Sequence, residues 1–531
     1  VACAQQGGIS GGDKDETPPQ PIWINPPMYS IHFEGNMVEI EFDEYINVED
    51  ISSQLLISPP LKDKPQERVR GKKLRLTWSD TLQSNTTYQF NFGKSVVDLN
   101  ESNPNTDLRY VFSTGSYVDS LAIYGKVLNS LDNEPVPLAS VMIYDGVEDS
   151  LPKTSMPSYF ALTNELGEFR LDYLPEGDFK LFVLTDGNGN YMYDGPPEEI
   201  GFLDRRVNSM PIDSQRPMVI PLFMESDTNQ YIKSSTGKDY GYYETIFNIP
   251  TIKPSIRFID PETDVELVKI SILNERRDTL KNWVTFPERR EFDEVQVIIQ
   301  DDSLLQDTAF WYIETDPKYA EKAKLTVSAN TNMNKLDIGG NFELILSQPI
   351  DEADTSLIWM IEDSTRVYPS RIEKDKVFRS MRIFYPFIKE KQYLVSALPG
   401  AFKDIFGNYS DSTGFAFSLQ EAEFYGFFTV NVTLENPLNK GAAILQLGDK
   451  AGSVKQEVRF TQSETISFGR MPPGAYTLKI VFDENDNGKW DTGNYLEKAQ
   501  PEKVSIYPEE INIRSNWDLD IDWSPLSAYP D

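Results

Sequence analysis

One stretch of this chain, a turn followed by a strand and an Asx-rich loop, occurs twice, and the two copies align without a gap. The first runs from Leu174 through Gly177 to Asp186, Asn188, Asn190 and Asp194. The second runs from Met471 through Gly474 to Asp483, Asn485, Asn487 and Asp491. Between turn and loop the apolar residues recur at every second position, as in Phe179, Leu181 and Val183. That period places them on one face of a strand. A repeated strand unit of this kind points to a modular β architecture, with the modules duplicated in pairs.

The same period recurs elsewhere. Val38, Ile40 and Phe42 alternate with Glu39 and Glu41, and Leu74, Leu76 and Trp78 alternate with Arg75 and Thr77. Tyr88, Phe90 and Phe92 alternate with Gln89 and Asn91. Pro59, Pro60, Gly71 and Asn85 supply turns between these runs. No long stretch has helical periodicity, so the expected fold class is all-β, and the first module is expected to be an immunoglobulin-type sandwich. A chain of 531 residues has room for roughly three to five such domains. The expected units are residues 18–115, 116–225, 226–322 (a linker plus a small sandwich), 323–420 and 421–531, behind a tether at 1–17. Tyr393 to Phe417 parallels Tyr88 to Phe112, which makes 323–420 a second copy of the first module.

Several motifs carry family resemblances. Asp15 to Pro19, Phe42 to Tyr45, Asn85 to Tyr88 and Phe112 to Gly115 resemble the N-terminal Ig-like domain of a family of Bacteroidota outer-membrane lipoproteins. Ile123 to Val127, Pro135 to Tyr144 and Gly167 to Leu171, then the duplicated turn and strand, resemble the carboxypeptidase-regulatory-like, transthyretin-like sandwich. The resemblance implies tandem Ig-like and transthyretin-like modules, the latter at 116–225 and again at 421–531. Such domains are accessory folds, and the name implies no peptidase. Val1-Ala2-Cys3, heading a Gly-rich polar stretch, resembles the end of a bacterial lipoprotein signal. In that family the cysteine is lipidated and the residues before it are removed, so an N-terminal lipid on Cys3 is expected. The resemblance implies an outer-membrane, lipid-anchored protein, with the cell surface favoured over the periplasmic face.

The duplicated loops place oxygen donors at positions 1, 3, 5 and 9 of a calcium-type loop. In the first, Asp186, Asn188, Asn190 and Asp194 supply side chains, and Met192 a carbonyl at position 7. In the second these are Asp483, Asn485, Asn487, Asp491 and the carbonyl of Lys489, with Gly488 at the sharp turn. Position 12 is Pro197 in one and Asn494 in the other, where a bidentate Glu stands in an EF-hand. Glu198, Glu199 and Glu497 are the next carboxylates. The competing reading is an Asx turn that bonds its own backbone. Weakly bound Ca2+ is the expected cofactor, and the second loop is the better candidate.

Composition narrows the function classes. A net charge of −33 argues against a nucleic-acid partner, which needs clustered Lys and Arg. One histidine, His32, leaves no multi-histidine metal site, and one cysteine leaves no internal disulfide. No P-loop, dinucleotide fingerprint or HExxH motif occurs. The expected protein is therefore a non-enzymatic scaffold or accessory subunit of a multiprotein envelope complex serving outer-membrane protein assembly, export or secretion. Its partners are expected to be outer-membrane proteins, with the membrane met through the lipid alone. One alternative is a cell-surface glycan-binding or adhesion module using exposed aromatics. Trp78, Trp359 and Trp523 sit in strand patterns, where core packing is the expected role. The other alternative is a hydrolase with an unmarked carboxylate pair.

Overall fold

The computed structural model describes residues 16–525 apart from 212–216, 228, 260–267, 275, 286–293, 303–304, 313–323 and 376–378. The fold is all-β. The α-helices among the described residues are single turns, Ile51–Gln54 and Leu151–Thr154. None is long and apolar enough to cross a membrane.

In the first sandwich, Pro21–Asn25, Met37–Phe42, Lys73–Thr77 and Gln66–Arg70 pair in that order. They face a sheet of Leu56–Ser58, Thr87–Asn91 and Arg109–Ser113. The alternating residues meet between the sheets. Val38, Ile40, Phe42, Leu74, Leu76, Phe90 and Phe112 are buried, while Glu39, Glu41, Lys73 and Arg75 lie on the outer face and form ion pairs there. Phe112 touches Phe33, Tyr88, Phe90 and Tyr110, with ring centroids 4.1–5.8 Å apart.

The sheets containing Phe342–Leu346 and Tyr393–Ala397 repeat this plan in matching register. Tyr88 lies opposite Phe112, and Tyr393 opposite Phe417, each pair with centroids 5.5 Å apart. Ile46 pairs with Asp98, and Ile350 with Asp404. Both aspartates are buried because each caps a turn: Asp98 accepts from the N–H of Glu101 and Asn103, and Asp404 from those of Phe406 and Asn408. Tyr88 Oη accepts from Gln83 N at 2.9 Å and Tyr393 Oη from Ile388 N at 2.8 Å, the same tyrosine-corner geometry twice. Tyr88→Phe or Tyr393→Phe should each lose about 0.5–1.5 kcal/mol, the net worth of one such bond, in denaturant melts.

Within residues 226–322, expected as a linker plus a small sandwich, strands begin at Ile232. Ile232–Asp239 and Tyr242–Phe247 form a hairpin in a four-stranded sheet with Thr279–Val284 and Val268–Leu273. Tyr243, Thr245 and Phe247 point inward, and Tyr243 stacks on Trp311 at 4.3 Å. The polar outward residues hide this alternation in the composition.

The second sandwich follows the order Tyr159–Leu162, Ser140–Tyr144, Asp178–Leu184, Glu199–Phe202, Met218–Met224, Leu121–Asn129, Glu168–Leu174. Leu121–Asn129 runs parallel to Met218–Met224 and antiparallel to Glu168–Leu174. The last sandwich repeats that arrangement. Gly426–Val432 runs parallel to Asp518–Trp523 and antiparallel to Glu464–Met471. Ser140–Tyr144 pairs with Asp178–Leu184 just as Ala442–Asp449 pairs with Gly474–Asp483. Every residue of Ser140–Tyr144 is buried, so the strand is covered on both faces. Val141 and Ile143 belong to the inner core. Met142 and Tyr144 belong to a second cluster on the other face, with Phe160, Phe182, Phe202 and Phe223.

Candidate functional site

Each duplicated strand delivers its first aspartate at the strand end, and the loop then wraps around that carboxylate. Asp186 accepts from the backbone N–H of Gly189 at 2.8 Å and Tyr191 at 2.8 Å. Asp483 accepts from Asn487 at 3.0 Å and Gly488 at 2.8 Å. Asn188 and Asn190 donate their amides to Asp194 Oδ2, at 2.7 and 2.9 Å. Asn485 and Asn487 donate to Asp491 Oδ2 in the same way, the former at 2.5 Å. Met192 N donates to Asn190 Oδ1, and Lys489 N to Asn487 Oδ1. The ten residues are thus brought together as two equivalent nets.

The third carboxylate of each net lies beyond the loop. Glu198 Oε2 accepts from Asp194 N at 3.0 Å. Glu199, by contrast, belongs to a strand and accepts nothing from the loop's side chains among the described bonds; its N–H donates to Thr185. In the second net the residue is Glu502, not Glu497. Glu502 accepts from Asp491 N at 3.0 Å and from Glu484 N at 2.8 Å. Its distance along the chain hid it, since only the returning strand Val504–Ile506 brings it back.

Electrostatics separates the copies. Asp483 is fully buried, with Arg459 3.5 Å away, and Arg459 also pairs with Asp486. Lys489 Nζ lies 3.2 Å from Asp491 Oδ1. Burial pushes the Asp491 carboxyl upward, but hydrogen bonds from Asn485, Lys489 and Asn487 outweigh it and hold the group below the usual range. Burial raises the Glu502 carboxyl above its usual range, helped by the charges of Asp491 and Asp483 and opposed by the N–H donors. Asp491, Glu502, Glu484 and Asn485, together with Lys440, line a cleft of about 400 Å³.

These residues suit a hard cation by type. As they stand, the asparagines aim amide nitrogens at Asp491. A half-turn of both amides would present oxygens instead, at the loss of their backbone hydrogen bonds. Among the described residues, no group of three or more His, Cys, Asp or Glu is arranged around a common metal position.

The chain beyond the second loop makes contacts that the sequence did not reveal. Thr492 Oγ1 donates to Met224 O at 2.6 Å. Tyr495 is 4% exposed, its ring set edge-on to Phe182 and Phe202 at 5.4 and 5.3 Å, and its hydroxyl donates to Asp149 O. Glu225 joins the two copies, accepting from Tyr193 Oη at 2.7 Å and from Tyr495 N at 2.6 Å. Gln500 donates to Phe202 O at 3.1 Å, and Lys498 pairs with Asp149 at 2.9 Å. The second and last sandwiches are therefore docked to each other. The sequence signal is divergence: after Asp194 comes Gly-Pro-Pro, but after Asp491 comes Thr492 to Lys498. A Cβ on Gly493 would stand 2.5 Å from the Phe223 ring. Gly493→Ala should lose about 1–3 kcal/mol through overpacking, read as earlier melting of the docked pair.

Trp78 and Trp523 are core residues and Trp359 is half-buried, in line with their strand patterns. Cys3 lies outside the described residues.

A family model described as a bacterial Ig-like domain matches residues 15–114. No curated protein matches the chain. Among solved structures, the chain is similar to BcpA, the major pilin subunit of Bacillus cereus, at 9% identity and TM-score 0.15, covering 77% of this chain and 100% of that one. It is similar to SGBP-B of the Bacteroides ovatus mixed-linkage glucan utilization locus, solved with a mixed-linkage heptasaccharide, at 10% identity and TM-score 0.18, covering 74% and 94%. The Bacillus anthracis TIE protein aligns at 10% identity and TM-score 0.16, covering 98% and 76%. Superpositions this loose carry no argument about activity.

Proposed function

We propose that this chain is a non-enzymatic scaffold subunit of a multiprotein envelope complex, held at the outer membrane by a lipid on Cys3. In this reading it belongs with the Bacteroidota lipoproteins, its second and last sandwiches are transthyretin-like, and it faces the cell surface. The observation that carries the proposal is the Glu225–Tyr495 lock. It uses a buried tyrosine and a half-buried carboxylate to fix two distant sandwiches together. Such bracing suits a part that holds partners at set positions, with recognition left to loops and sheet edges. Purification of the native protein from membranes in mild detergent tests it. Outer-membrane proteins should co-purify and Cys3 should carry acyl groups by mass spectrometry. A protein that comes away alone and unmodified overturns the reading.

A second reading rests on Phe427 and Trp517, which are 45% and 59% exposed and adjacent, Phe427 N donating to Trp517 O at 3.0 Å. Neighbouring exposed aromatic faces suit the apolar side of a sugar ring. Glycan-array binding lost on Trp517→Ala would favour an adhesion role.

A further inference from the structure

We propose that a second copy of this chain docks by strand addition, its acidic edge strand Asp518–Trp523 pairing with the basic edge strand Gln66–Arg70 of the first. Both strands end their sheets, each with one neighbour: Gln66–Arg70 pairs with Lys73–Thr77, and Asp518–Trp523 with Gly426–Val432. Each has an unused row of backbone donors and acceptors.

The side chains match in sign and spacing. Arg68 and Arg70 are exposed on one face, two residues apart. Across the sheet they lie opposite Arg75 and Lys73. Like charges directly opposite are destabilising. Arg75 and Lys73 are already neutralised by Glu39 and Glu41, whereas among the described residues neither Arg68 nor Arg70 has an ion-pair partner. On the other strand Asp518 and Asp520 are likewise exposed and two residues apart, and among the described residues neither has an ion-pair or hydrogen-bond partner. Asp522 already accepts from Asn431 at 2.9 Å.

An antiparallel pairing that sets Arg68 against Asp520 sets Arg70 against Asp518 and Val69 against Leu519. All four charges gain partners. Val69 and Leu519 are partly buried against the cores of their own sandwiches, so their contact continues the apolar layer. The same charges bar the wrong pairings, because two basic edges or two acidic edges would set like charges opposite one another. The two strands are different surfaces, so each copy offers one of each and the contact is heterologous, building a ring or an open row.

Sedimentation velocity of the full chain at 0.15 M salt tests this across rising protein concentration. The mean mass should climb with concentration. Arg68→Glu/Arg70→Glu and Asp518→Lys/Asp520→Lys should each associate at least tenfold more weakly. Mixing the two variants should restore association, and so should combining all four substitutions in one chain. Arg68→Gln/Arg70→Gln, which only neutralises the row, serves if a reversal disturbs the fold by circular dichroism, and it should also weaken association. A wild-type chain that stays monomeric overturns the proposal, as does association indifferent to these residues or a mixture that fails to recover. It is equally overturned if the monomer instead pellets with phosphatidylglycerol vesicles through Arg68 and Arg70, which would make the row a lipid contact.

Discussion

Replacing Tyr495 by alanine should free the last sandwich from the second and lower the stability of the docked pair by about 3–5 kcal/mol, the range for deleting a buried aromatic ring. The ring is inserted into a cluster whose other buried residues, including Met142, Phe182, Phe202 and Phe223, belong to a different sandwich. Its removal leaves a cavity there that the rigid strand Ser140–Tyr144 cannot close. It also strips the partner from Asp149 O, although the backbone N–H to Glu225 survives. Tyr495→Phe keeps the ring and should lose only about 0.5–1.5 kcal/mol, the worth of one hydrogen bond. Hydrogen exchange should report the difference: in Tyr495→Ala the amides of Ser140–Tyr144 and Glu199–Phe202 exchange faster, while those of the first sandwich do not change. Unchanged exchange in those strands would mean that the ring is not what holds the sandwiches together.

The sequence carried local information well and distant contacts poorly, and the residues show why. Alternation depends on strand geometry alone, so Val38, Ile40 and Phe42 could be placed in a core from spacing. The parallel between Tyr88 to Phe112 and Tyr393 to Phe417 survived into identical cross-strand pairs because register follows from which face is buried. The Asx loops were legible for the same reason, since their bonds span only two to six residues. Tyr495 was not legible. The unbroken apolar run Val141 to Tyr144 says that both faces of a strand are covered, but nothing in it says that the cover lies hundreds of residues away. The hairpin at 232–247 is hard to tell from a linker because its outward residues include Ser, Thr and Lys. Tyr243 and Phe247 carried the strand signal, too briefly to outweigh them.

Calcium should raise the melting temperature, and Asp483→Ala should abolish most of that rise. At ten times the dissociation constant, a ligand confined to the folded state adds about 1.4 kcal/mol. The substitution has a second effect without calcium. It leaves the N–H of Gly488 without its acceptor, at about 1–3 kcal/mol if that group stays buried, while the N–H of Asn487 keeps Asn485 Oδ1. The pH dependence separates these contributions. Asp491 is held below its usual range when folded, so its stabilising effect is present above the unfolded carboxylate value and is lost as pH falls through the folded one. Glu502 is raised, so it contributes below the unfolded value and that contribution is lost as pH rises through the folded one. When ionised, Glu502 is therefore a partly buried charge that its own N–H donors only partly offset. A cation bound beside Asp483, Asp491 and Glu502 would offset the rest, and at a pH where Glu502 is protonated its binding would release that proton. Calcium stabilisation should accordingly weaken as pH drops through the Glu502 titration, and Glu502→Gln should flatten that dependence while leaving the first loop untouched. Calorimetry in millimolar calcium against chelator decides the matter. An identical melt in both would assign the loops to Asx capping alone, with Lys489 and Arg459 as counter-charges in the second.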